Sequence, residues 1–347
     1  MKPLLGITMG DPAGIGPEII VKSLNLPLIY DICTPVVIGD RQVLANACSY
    51  SSVDLQLRPV SNIKEALGEH GTIDYYELGK ISQSSVKTGE CSAVGGEAAF
   101  QYIIKAIDLA NENLIDAVVT APINKEAINL AGYRFAGHTE IFAHYTNAKP
   151  GSFAMMLTSG SFRVIHATTH VSIRKACDLI TKDRVLATIR LAKQAVELLG
   201  VTSPYIGVSG LNPHSSENGL FGDEESNEII PAIESARAEG IQAEGPVPPD
   251  TVFVKALGGK YDIVVAMYHD QGHIPLKLHG FSLSSEKDKK ASVSGVNATI
   301  GIPIIRTSVD HGTAFDIAGK NIADHQSLVD AIEMAATMAS VKLRGRV

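Results

Sequence analysis

Short apolar runs alternate along the chain with longer stretches in which apolar residues recur at helical spacing. Leu4–Thr8, Pro35–Ile38, Ala117–Thr120, Ser152–Leu157, Arg163–Ala167, Tyr205–Val208, Ile263–Ala266 and Ile302–Arg306 read as strands. Several are apolar at every position, as expected of parallel strands covered on both faces. Between them the spacing predicts helices over Pro17–Leu26, Ala93–Asn111, Lys182–Leu199, Asp223–Ala238 and Leu328–Leu343. Gly16-Pro17-Glu18 places a proline and an acid in a first helical turn, where both are favoured. Asn124-Lys125-Glu126 reads as another helix start. The alternation predicts an α/β protein built from βαβ units. Ser282–Ser294 breaks the pattern with a polar run, Ser-Ser-Glu-Lys-Asp-Lys-Lys, and is expected to be an exposed, mobile loop.

At 347 residues the chain is long enough for two domains, yet no linker announces itself. A chain that crosses between domains twice has this character. The net charge of −7 offers no basic field for nucleic acid or an anionic membrane. An anionic ligand would have to be held by individual cations. No apolar run approaches the roughly 18 residues of a membrane span. The four cysteines, Cys33, Cys48, Cys91 and Cys177, are scattered, which fits a reducing cytoplasm better than a disulfide scaffold or a zinc ribbon.

The candidate chemistry lies in histidines that follow strands. His170, His214 and His269 each sit just beyond a strand end, among Gly, Asn, Asp and Thr. Carboxyl ends of strands line the ligand crevice in open α/β sheets, so the three imidazoles could converge on one divalent metal. They could equally be separate loop histidines, for no local metal motif joins them. Asp270 and Asp250 could orient an imidazole or move a proton, or could simply cap turns. Lys277, Asn297 and Arg306 suit a small anion, with Arg306 placed at the end of an apolar run. The opening Gly10-Asp11-Pro12-Ala13-Gly14-Ile15-Gly16 has the look of a phosphate loop, although its spacing matches no known phosphate motif and a tight turn explains it as well.

Several segments together resemble the 4-hydroxythreonine-4-phosphate dehydrogenase family. They are Met9–Glu18, Gly137-His138-Thr139-Glu140, Leu211-Asn212-Pro213-His214, Met267–Gly272 and Arg306–Ala314. The resemblance runs from the first strand to the last helix. It implies an enzyme dependent on NAD and on one divalent metal per site, with zinc or cobalt suiting imidazoles better than magnesium. It also implies a homodimer with shared active sites in the cleft between two α/β/α domains. Residues 1–130 with 302–347 would form the first domain, and 131–301 the second, carrying metal and substrate residues. The family's metal ligands fall on His170, His214 and His269. Its substrate contacts fall on His138, Thr139, Lys277, Asn297 and Arg306. Asp250, Asp270 and Lys277 are the catalytic candidates.

The segment from His311 to Lys320 is similar to the adenosine loop of isocitrate and isopropylmalate dehydrogenases. That likeness implies an NAD site at His311, Gly312, Thr313 and Asp324, with Asp324-His325 standing where those enzymes have Asn-Pro. The expected reaction is oxidation and decarboxylation of a 4-phosphorylated four-carbon 3-hydroxy acid. The first-placed substrate is 4-phosphohydroxythreonine, on the way to pyridoxal phosphate. D-threonate or D-erythronate 4-phosphate is the alternative, and the runs Gly272–Lys277 and Asn218–Glu225 look more like that branch. There the Ser282–Ser294 run would fold over the ligand. From another class, the same fold could serve as a metal-dependent acyl or phosphoryl transferase, or as a sugar-phosphate sensor.

Overall fold

The computed structural model describes residues 2–80, 85–282, 292–293 and 295–345. Most of the Ser282–Ser294 run expected to act as a lid lies outside the described residues.

The chain forms two compact units, Met1–Asn147 with Ile302–Val347, and Ala148–Gly301. In the first unit the strands are β1 (Leu4–Thr8), β2 (Thr34–Gly39), β3 (Gln56–Pro59), β4 (Thr72–Glu77), β5 (Ala117–Thr120) and β14 (Arg306–Val309). They run parallel in the order β3-β4-β2-β1-β5-β14. Every residue of β5 and of β14 is buried, and all but the first of β1 and β2, so both faces of the central strands are covered. The covering comes from α1 (Gly16–Leu24), α2 (Pro27–Ile32), α3 (Arg41–Ser51), α4 (Ala93–Asn111) and α12 (Gln326–Arg344).

Two further helices of this unit, α5 (Lys125–Leu130) and α6 (His138–Tyr145), pack on α4. Their packing moves the first crossing point from the expected 130/131 to Asn147/Ala148. Phe100 of α4 stacks on Tyr133 at 3.6 Å between centroids and meets Tyr145 edge-on at 6.0 Å. That aromatic cluster holds the segment 131–147 in the first unit. His138 and Thr139 therefore belong to the first unit, not the second.

The second unit carries β6 (Ala154–Ser159), β7 (Phe162–His166), β8 (Ile206–Ser209), β9 (Ala243–Val247), β10 (Ile263–Ala266) and β13 (Val296–Ile300), in the order β13-β6-β7-β10-β8-β9. The strands from β7 to β9 run parallel, while β13–β6 and β6–β7 pair antiparallel. Leu157, Phe162, Val164, Val252, Val264 and Leu276 share one buried cluster of this unit. Its helices are α7 (Ile173–Leu179), α8 (Lys182–Leu198), α9 (Ile230–Ala238), α10 (Pro249–Leu257) and α11 (His269–Gly280). A two-residue ladder pairs β11 (Phe281–Ser282) with β12 (Ser292–Val293). No described helix is long and apolar enough to cross a membrane.

Two local expectations are corrected. The last strand begins at Arg306 where it was expected to end, because the backbone before it is bent and pairs with β5 only from Arg306 onward. The glycine-rich turn after β1 is not a phosphate cradle. Its N–H groups are spent internally: Asp11 on Pro122 O at 2.9 Å, Gly14 on Asp11 O at 3.0 Å and Ile15 on Thr313 O at 3.0 Å. Glycine is required there by proximity. A Cβ on Gly10, which sits at φ +72°, would lie 2.3 Å from Pro122 O, and one on Gly14 would lie 2.9 Å from Thr313.

Asp11 stabilises this turn at a cost. Its Oδ1 accepts the Ala13 N–H at 2.9 Å, while Oδ2 is enclosed without a hydrogen-bond partner. Burial pushes its carboxyl from an ordinary 3.8 up to about 6. The folded state thus holds the proton more tightly than the unfolded chain. The associated stability is fully present below 3.8 and is lost as pH rises through about 6. Asp11→Asn should remove this dependence. The variant's advantage over the parent should grow by roughly 2.5 kcal/mol between pH 4 and pH 8, read by urea unfolding across that range. Parallel pH profiles for the two proteins would show that Asp11 is ionised throughout.

Candidate active site

In the second unit β7, β10 and β8 are parallel neighbours, and the three candidate metal histidines follow their carboxyl ends. His170 lies four residues beyond β7, His269 three beyond β10 and His214 five beyond β8. His170 and His269 come together, with ring centroids 5.7 Å apart. His214 is instead found near Phe221, with centroids at 6.4 Å. Among the described residues no group of three or more His, Cys, Asp or Glu side chains is arranged to hold a metal ion. His170 and His214 both sit in the left-handed region, at φ +50° and +52°. Such strain in non-glycine residues concentrates at functional sites.

His269 was expected on a loop but is the first residue of α11. Its Nδ1 pairs with Asp270 Oδ1 at 2.7 Å. A carboxylate only accepts, so Nδ1 donates and Nε2 is left as the candidate metal-binding nitrogen. His170 and His269 are donors of the kind that zinc or cobalt takes, two imidazoles where such a site needs at least three protein ligands.

A layer of residues that the sequence pattern did not single out fixes these loops. Gln271 accepts the Met267 N–H at 2.6 Å and donates to Gly210 O at 2.8 Å, tying the turn of His269 to the loop of His214. Glu225, almost fully buried, accepts the N–H groups of Leu211 at 2.8 Å and Asn212 at 2.7 Å. Thr168 Oγ1 donates to Met267 O at 2.8 Å, and Arg184 donates to Ala167 O at 2.6 Å and Gly151 O at 2.7 Å. Glu225 and Arg184 follow His214 and His170 by 11 and 14 residues, a spacing that matches no motif. His166, by contrast, is a core residue. Burial first, and His273 next, lower its imidazole to about 3, so it stays neutral.

Lys277 is half-buried on α11, and Asn297 lies on β13 with an enclosed Oδ1 that has no hydrogen-bond partner. Asp250 is exposed in the first turn of α10.

In the first unit Arg306 is 3% exposed and donates to Thr120 Oγ1 at 2.8 Å. Its guanidinium carbon lies 5.8 Å from the centre of the Phe142 ring. Burial pulls its pKa down, and the Glu140 carboxylate opposes that pull. His138 and Thr139 open α6. Burial, and then Arg306, hold the His138 imidazole well below its ordinary range, and its enclosed Nε2 has no hydrogen-bond partner. His138 is thus a neutral hydrogen-bonding group beside a buried cation. The pair is suited to an anionic ligand that also carries hydroxyls.

The candidate cofactor residues follow β14. His311 is half-buried, and Thr313 is buried under Gly14. Gly312 is exposed, and a Cβ placed on it would meet nothing within 4 Å. Asp324 is exposed, and its Oδ1 accepts the Gln326 N–H at 3.0 Å at the start of α12.

The family of the pyridoxal phosphate biosynthetic protein PdxA matches residues 31–335. The chain is 48% identical to the D-threonate 4-phosphate dehydrogenase of Cupriavidus necator, over 97% of this chain and 98% of that one. It resembles the solved 4-hydroxythreonine-4-phosphate dehydrogenase of Klebsiella pneumoniae with a TM-score of 0.86 and 43% identity, covering 98% of each chain. The corresponding structure from Burkholderia phymatum gives 0.82 and 44%, covering 97% of this chain and 98% of that one.

Proposed function

The chain belongs to the PdxA family, and from that premise we propose that it oxidises and decarboxylates a four-carbon aldonate 4-phosphate, D-threonate or D-erythronate, with NAD as hydride acceptor. The chain is a dehydrogenase of phosphorylated hydroxy acids, as its relatives are, which sets aside the transferase and sensor readings. The observation that carries the choice of substrate is near-full-length 48% identity to a D-threonate 4-phosphate dehydrogenase. It reverses the order given above to 4-phosphohydroxythreonine.

Residues of the chain divide the work. Arg306, with neutral His138 and Thr139, holds an anionic end of the substrate by charge-assisted hydrogen bonds. Lys277 and Asn297 serve its other polar groups. His170 and His269, with His214, hold a divalent cation, which when bound supplies Lewis acidity at the reacting hydroxyl. Asp270 keeps His269 in the required tautomer. Asp250 and Lys277 are the groups that move protons. His311, Gly312, Thr313 and Asp324 receive the adenosine half of NAD.

The working unit is a cytoplasmic homodimer. α11, which carries His269 and Lys277, exposes Ile274 at 65% and Leu278 at 79%, one turn apart on one face. Two large aliphatic side chains so exposed beside the site suit a second copy of the chain.

The test is a panel of D-threonate, D-erythronate and 4-hydroxythreonine 4-phosphates with NAD and zinc, cobalt or magnesium, followed by NADH absorbance. An aldonate should give the highest kcat/KM by at least about tenfold, some 1.4 kcal/mol of discrimination at C2. Faster turnover of the amino acid would overturn the substrate, and no NADH from any combination would overturn the reaction.

A further inference from the structure

The Gly10–Glu18 motif remains without a role once the N–H groups of its turn are seen to be spent internally. It leads into α1, which presents Glu18 in its first turn and Lys22 one turn later. This i,i+4 order suits both the ion pair and the helix dipole. Both side chains reach the segment that follows the proposed cofactor loop. Glu18 Oε1 accepts Lys22 Nζ at 2.8 Å and the Ala323 N–H at 2.9 Å. Lys22 Nζ also donates to Ala323 O at 3.0 Å. The pair thus satisfies both backbone polar groups of one residue some 300 positions away.

The arrangement is costly. Glu18 is fully buried, and its Oε2 has no hydrogen-bond partner. An apolar contact between helix and loop would hold them together with less desolvation. What an ion pair adds is register, because it accepts Ala323 in one position only. The neighbours of Ala323 are Asp324 and, two residues back, Asn321 in the left-handed region at φ +58°. The same motif grips the other end of the loop, where Ile15 N–H donates to Thr313 O at 3.0 Å.

We propose that Glu18 and Lys22 are positioning residues for the dinucleotide: they clamp Ala323 so that Asp324 and the His311–Thr313 turn are preset for the adenosine moiety. The proposal rests on the reading of His311 to Asp324 as the cofactor loop.

The test uses the full-length enzyme and NADH itself, titrated by its fluorescence, alongside steady-state kinetics. The paired change Glu18→Leu with Lys22→Met leaves no unpaired buried charge, so the fold should survive, which a melting curve checks. If the loop is then competent about a tenth of the time, the Kd of NADH and the KM of NAD rise about tenfold. kcat and the KM of the phosphorylated substrate should stay within about twofold, and Lys22→Arg, which retains the donor, should bind NADH nearly as the parent does. If the apolar pair does not fold, Glu18→Gln, which keeps the acceptor but not the charge, should give a smaller loss of the same kind. Unchanged NADH affinity in the folded variant, with Asp324→Ala clearly weakened, would overturn the clamp and leave the loop reading intact. Unchanged affinity in both Asp324→Ala and Gly312→Val would overturn the loop reading and the clamp with it.

Discussion

His269→Ala should abolish turnover and strip the divalent metal proposed for this site. The ring lies 5.7 Å from that of His170, and Asp270 orients it through Nδ1 at 2.7 Å. Loss of one of the two imidazoles that meet leaves too few protein ligands to retain an ion. If the cation contributes several kcal/mol to the barrier, kcat falls by about a thousandfold or more. Asp270→Ala should act in the same direction but less, with metal affinity lowered about ten- to a hundredfold, because it removes orientation and not a ligand. Metal content after gel filtration, measured beside NADH formation, checks both. His269 is half-buried and opens a helix, so a melting curve should accompany the assay. Full activity of His269→Ala after exhaustive chelation would defeat the metal assignment.

Arg306→Ala should lower kcat/KM by roughly ten- to a hundredfold, the effect of losing about 1.5–3 kcal/mol of charge-assisted hydrogen bonding. Arg306 is almost fully buried in the first unit, with Thr120 fixing its guanidinium and neutral His138 close by. Arg306→Lys should fall between the two, since a point charge cannot replace the planar fork. The loss should be smaller for a substrate analogue that lacks the anion Arg306 binds. Equal losses for phosphorylated and unphosphorylated analogues would place Arg306 at the carboxylate end. Unchanged kinetics with every substrate would remove it from the site.

Much of the architecture was legible in local pattern. Ala117–Thr120 and Ile263–Ala266 are strands with the bounds their apolar runs suggest, and Ala93–Asn111 is a helix over its full periodic stretch. Periodicity is a property of neighbouring residues, so it survives without knowledge of the fold. The strands β3, β4, β9 and β13 were missed because Gln56–Pro59, Thr72–Glu77, Ala243–Val247 and Val296–Ile300 interrupt their apolar residues with polar ones, or with Gly or Pro, and only sheet pairing holds them extended.

The sequence by itself determined the α/β class and the family, and named the candidate site residues, through motifs whose order along the chain is specific. Tertiary structure decided which of those residues meet and what state they are in. It brought His170 to His269 but set His214 beside Phe221, and it made His138 neutral by enclosing it near Arg306. It also turned the glycine-rich motif from a phosphate loop into a base for the segment around Ala323. The physical reason is that desolvation and hydrogen bonding depend on what lies across space. Glu18 and Ala323 are 305 residues apart, and no local pattern records that they touch.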